Sequence, residues 1–202
     1  MHVIGEILLS NNVSTSAIAG IAFAVAAVTF LGLALLIIMS MFGEPFGMLN
    51  DICIGLAALL SIALAWALYP LHHAHSPQLA LPALILVILG AAIGVTGSVL
   101  SISGTTGFVL AGLYMAAGNA LIGLWVLGLN QGSPWPHGLV LLGLISGAVM
   151  ALGLATIPGI FMRTDSFGSS SWLTWVGQMG FFGYAVLYPI WCLRLWHVLR
   201  AP

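Results

Sequence analysis

The chain has no lysine, and three arginines with four acidic residues make up the whole of its fixed charge, 3% of 202 residues. Soluble domains carry about a quarter of their residues as charges. From Asp51 to Arg163 runs a stretch of 111 residues without Asp, Glu, Lys or Arg. A water-exposed surface of that extent needs charge to stay dispersed, so lipid or partner protein must cover this one. A net charge of −1 supplies no basic stripe to neutralise phosphates, which excludes nucleic acid as a partner. The only cysteines, Cys53 and Cys192, form neither a CxxC motif nor a disulfide framework, and read as small apolar packing residues. GxSxG, HExxH and glycine-rich phosphate loops are also missing, so an enzyme is not expected. The opening "MHVIGEILLSNNVSTS" lacks a positive n-region, and the first apolar stretch is expected to stay as a spanning helix rather than be cleaved.

What is present is apolar, 61% of the chain, gathered into long runs. Crossing a hydrocarbon core of about 30 Å takes about 20 residues of helix. Six runs qualify, and they predict helices over about 17–42, 49–69, 79–102, 105–129, 139–161 and 172–198. The runs are continuously apolar, without the ten-residue alternation of membrane barrels. The expected fold is therefore all-α: a polytopic six-helix bundle forming one transmembrane domain over residues 1–202. Asn50 and Asp51 are natural N-cap residues for the second helix, and Pro70 and Pro77 bracket a histidine loop, "LHHAHS". "SGTTG", "NQGSPWPHG" and "RTDSFGSSS" separate the later helices.

An even number of crossings places both termini on one side, here called side A, with the loops near 71–78 and 131–138. Side B takes those near 43–50, 103–104 and 162–171. All six histidines, His2, His72, His73, His75, His137 and His197, then fall on side A, and the acids Glu44, Asp51 and Asp165 on side B. Arg194 and Arg200 lie toward side A and Arg163 toward side B, so the excess of positive charge points to cytoplasmic termini. Trp66, Tyr69, Trp125, Trp135, Tyr188, Trp191 and Trp196 near side A, with Trp172 and Trp175 near side B, suit interfacial aromatic belts.

Small residues mark close helix approaches: Gly90 and Gly94 in the third helix, Gly143 and Gly147 in the fifth, and Gly177, Gly180 and Gly183 on one face of the sixth. One echo, "ALYPL" at 67–71 and "VLYPI" at 186–190, falls in two helices of the same direction. Inside the apolar core Asn119 stands near the middle of the fourth helix, with Gln178 a short way into the sixth. Such residues either bridge helices by hydrogen bonds or touch a ligand. No ionisable residue lies at mid-depth, which counts strongly against a proton-coupled pump or a voltage sensor.

Two constellations could carry chemistry. On side A, His72, His73 and His75 offer two well-aimed ligands, with His137, His197 or His2 to complete a metal shell; the competing reading is a polar helix end in a chain without lysine. A transmembrane haem would ask for histidines inside the helices, facing across the bundle, whereas a pigment needs only one axial imidazole, for which His137 and His197 are best placed. On side B, Asp51 and Arg163 either tie two loops together, with Asp165 as the alternative partner, or form with Gln178 a polar mouth for a small ligand. A zinc-dependent membrane hydrolase is the one enzyme class retained, yet its histidines and aspartates would stand on opposite sides.

The length, "LNDICIGLAALLSIALAWALYPLHH" and "ALIGLWVLGLN" resemble small uncharacterised polytopic bacterial membrane proteins, a resemblance that implies a bacterial inner membrane and transfers no functional residue. The expected function is that of a non-catalytic integral membrane protein serving as a structural or accessory subunit of a larger membrane complex, in contact with lipid and other subunits. The alternative is a stand-alone binding or permeation protein for a small neutral or apolar molecule, using Asn119, Gln178, Asp51 and Arg163. A lesser alternative is a metal, haem or pigment protein ligated by histidine. The sequence requires no cofactor.

Overall fold

The computed structural model describes residues 14–164 and 171–200. Six helices in it are long and apolar enough to cross a membrane. They are α1 (Thr15–Phe42), α2 (Phe46–His75), α3 (Pro77–Ile102), α4 (Phe108–Asn130), α5 (His137–Phe161) and α6, which runs from Ser171 to Arg200 in three pieces. This is the helical bundle of an integral membrane protein. Each helix packs antiparallel beside its neighbour in sequence, and α6 returns to pack on α1, so the six close into a circle. Thr15, His75, Asn130 and Arg200 end their helices on side A, and Phe42, Ile102 and Phe161 on side B. His2 and Asp165 lie outside the described residues.

Proline explains the irregular stretches. Its missing N–H deprives the carbonyl four residues earlier of a helical partner. Pro158 removes the partner of Leu154, and α5 tightens to a 3-10 turn over Leu152–Thr156. Pro189 removes that of Ala185, and α6 widens to a π-helical segment over Gly183–Leu187, between Ser171–Phe182 and Tyr188–Arg200. Pro70 does not end α2, contrary to the boundary expected at Tyr69. The helix continues through Pro70 to His75, and Ser76 alone separates it from α3. The expected histidine loop is thus the last turn of a helix, which carries His72, His73 and His75. The other end of α2 also differs: it starts at Phe46, so Asn50 and Asp51 lie inside it and cap nothing.

Glycine sets the distance between helices. A Cβ on Gly118 of α4 would lie 2.5 Å from the carbonyl oxygen of Gly90 and from the amide nitrogen of Gly94 in α3. A Cβ on Gly147 of α5 would stand 2.5 Å from the carbonyl oxygen of Gly123 in α4. Between α5 and α6, Gly180 approaches the backbone of Gly153 and Gly183 that of Met150. Backbones at this range gain dispersion contacts, which replace the hydrophobic drive that lipid cannot supply.

Large side chains fill the side-A half of the circle: Leu64, Leu68 and Leu71 of α2, Trp125 of α4, and Tyr188, Trp191 and Leu195 of α6 are all buried. Trp125 and Trp191 meet edge to face at 6.2 Å. Trp125, Trp135, Tyr188 and Trp191 therefore belong to the core and not to the aromatic belt expected of them. Trp66, Trp172 and Trp175 are exposed as a belt requires. Cys53 and Cys192 are both buried free thiols.

Candidate functional site

The side-B ends of α1, α2, α3 and α4 surround a cleft of about 390 Å³. Met39, Met48 and Phe108 give it apolar walls, and Glu44, Asp51 and Ser101 give it polar ones. Asp51 is 5% exposed, because the first turn and a half of α2 carries it below the helix end. Its carboxylate accepts the Ser101 hydroxyl of α3 at 2.6 Å and the side-chain amide of its neighbour Asn50 at 3.3 Å. Glu44 accepts the backbone N–H of Met48 at 3.2 Å and so caps the start of α2, the role expected of Asn50 and Asp51. Among the described residues Glu44 is the one charged group near enough to act on Asp51. Arg163 is exposed at the end of α5, in the left-handed region at φ 50°. Asp51 thus bonds Ser101 in place of the Arg163 partner considered from sequence.

The intramembrane amides separate. Asn119 is buried in α4 on the stripe of Met115, Val126 and Asn130, between Gly118 facing α3 and Ala120 facing α5, and so turns to the interior of the circle. Its Oδ1 meets no partner among the described residues. Gln178 is exposed on α6 and does not meet it.

On side A the histidines also separate. His72 is buried with its Cε1 3.9 Å from where a Cβ of Gly128 would stand, and its Nε2 has no protein partner among the described residues. His75 donates Nδ1–H to the Leu71 carbonyl at 2.9 Å, one turn back. His73 leans on Tyr69 at 5.8 Å between ring centroids, and His137 and His197 are exposed. A cavity of about 10 Å³ lies between His72, His75, Ser133 and Trp135. Among the described residues no three of His, Cys, Asp and Glu converge so as to hold a metal ion.

A third polar group, which sequence reasoning missed, lies at mid-depth. Tyr188 of α6 shares a hydrogen bond of 2.8 Å with Ser61 of α2, and Ser61 also donates to the Ala57 carbonyl at 2.7 Å. One turn away Tyr184 lies buried in the π-helical segment. The echo "ALYPL" and "VLYPI" drew attention to Tyr69 and Tyr188, but Tyr69 is half-buried near side A and Tyr188 fully enclosed. No family model matches this chain, and comparison with curated proteins and with solved structures gives no match.

Proposed function

We propose that the chain is a non-catalytic subunit of a larger membrane assembly in a bacterial inner membrane. The observation that carries this reading is the apolar rim on side B. Phe161 is 83% exposed, Met162 75%, Met41 74% and Phe42 69%, all at helix ends, where a lone protein would meet headgroups and water. Helix ends facing that zone ordinarily carry charge or interfacial aromatics. Among the described residues the exposed charges beside the rim are Glu44 and Arg163, one of each sign. A partner seated on the rim would bury these side chains and give them a reason to be apolar. Arg194 and Arg200 at the opposite end support cytoplasmic termini.

Purification of the native particle in mild detergent, followed by intact-complex mass spectrometry, tests the reading. Companion chains in fixed ratio are expected, and exchanging Phe161 and Met162 for serine should release them. A particle containing only this chain would overturn it.

A second reading, as a binding protein for a small molecule, draws on the 390 Å³ cleft, whose size suits a compact ligand and whose methionine and phenylalanine walls suit an apolar one. The same mass spectrum separates the two, because a bound small molecule would add its own mass to this chain after the companions are stripped.

A further inference from the structure

A small cavity of about 10 Å³ sits between α1, α2 and α6, lined by Thr29 and Gly32, by Asn50 and Cys53, and by Tyr184 and Ala185. Space of this order admits one water-sized molecule, provided that two to four polar groups can bind it. Three lining residues meet that condition with complementary chemistry. Tyr184 is 2% exposed, and its hydroxyl makes no hydrogen bond of good geometry among the described residues, although Thr29 stands near enough to act on it. Thr29 has committed its proton to the Val25 carbonyl at 2.8 Å, which leaves its oxygen as an acceptor. Asn50 has committed one N–H of its amide to Asp51, and its Oδ1 lies 3.5 Å from where a Cβ of Gly32 would stand, on the side that Gly32 leaves open. The Tyr184 donor and two acceptors, each from a different helix, therefore border one small cavity. The π-helical segment places Tyr184 there, and such segments recur where a helix serves a site.

We infer that this cavity is a binding site for one neutral hydrogen-bonding molecule of the size of water, held by the Tyr184 hydroxyl, Thr29 Oγ1 and Asn50 Oδ1. An ion is not suited to it. No charged group lines the space, and unpaired charge at this depth is expensive. An apolar gas would leave the buried Tyr184 hydroxyl unsatisfied, at a cost comparable to a lost hydrogen bond. The molecule would fasten α1, α2 and α6 together, in the sector where α6 closes the circle on α1. The inference stands apart from the subunit reading and does not depend on any partner.

Radiolytic labelling of the full chain in lipid nanodiscs tests it. X-ray pulses convert water into hydroxyl radicals that modify only adjacent side chains, and peptide mass spectrometry reads the products. Tyr184 and Cys53 border the proposed site at 2% and 8% exposure, whereas Tyr188 and Cys192, both at 0%, do not line it and serve as internal controls, the tyrosine pair being the closer match. Labelling of Tyr184 and Cys53 about threefold or more above the controls is expected, as is its fall to the control level in T29V, which keeps the volume and removes one acceptor. Labelling of Tyr184 no greater than that of Tyr188 would overturn the site. So would labelling that persists unchanged in T29V, since the radicals would then come from water that the cavity does not hold.

Discussion

The hydroxyls of Ser61 and Tyr188 meet at 2.8 Å, fully enclosed, and join α2 to α6 behind α1. These two helices are not neighbours in the circle, so the bond reaches across its interior. Both groups also have company: Ser61 retains the Ala57 carbonyl, and Tyr188 stacks on Trp191 at 6.1 Å. Changing Tyr188 to Phe should therefore remove the bond with little repacking. A loss of about 0.5–1.5 kcal/mol is expected in a reversible unfolding assay, in the range of interhelical bonds in membranes. In a double-mutant cycle S61A should cost much less once Y188F is present, and strictly additive losses would show that the two hydroxyls do not interact.

Gly118 and Gly94 should respond differently to alanine although they meet at the same crossing. The new methyl on Gly118 would strike backbone at 2.5 Å, whereas the one on Gly94 would stand 3.8 Å from the Ala58 methyl, at ordinary contact. G118A should cost about 1–3 kcal/mol as the helices part, and G94A less than about 0.5 kcal/mol. Thermal midpoints in one detergent compare them directly. Equal midpoints would contradict the crossing.

Asp51 should depend on Ser101 and be indifferent to Arg163. S101A strips the carboxylate of its shorter hydrogen bond, and bonds to charged groups are worth about 1.5–3 kcal/mol. A charge exchange, D51R with R163D, should be no more stable than the worse single variant. Recovery in the double variant would place an ion pair where the hydroxyl stands.

Asn119 should be expendable for stability. Its Oδ1 is buried without a partner among the described residues, a cost that leucine of similar size avoids. N119L is expected to raise the unfolding midpoint of the isolated chain. A drop of more than about 1 kcal/mol would mean that the amide is bonded after all.

Apolar run length is a one-dimensional property, which is why six crossings and their polar breaks could be read from the sequence. Interruptions inside a run were not as legible. Pro70 and Pro189 both follow a Leu-Tyr pair, yet one leaves a helix unbroken and the other widens it, because neighbouring helices decide how the freed carbonyl is accommodated. The side-B site was half visible: Asp51 was singled out, but its partner is 50 residues away and is a serine among several similar ones. Tyr184 gave no signal at all, since a tyrosine in a long apolar run looks the same facing a core, a cavity or a headgroup.

Because α6 docks beside α1, with Phe23 and Trp196 in contact at 5.4 Å near the shared end, the order of the helices along the chain has no privileged beginning. A permuted gene that linked residue 200 to residue 15 and opened the chain at Gly104 would keep all six interfaces. Assembly in the membrane would then start from α4 and end with α3, and yet arrive at the same circle.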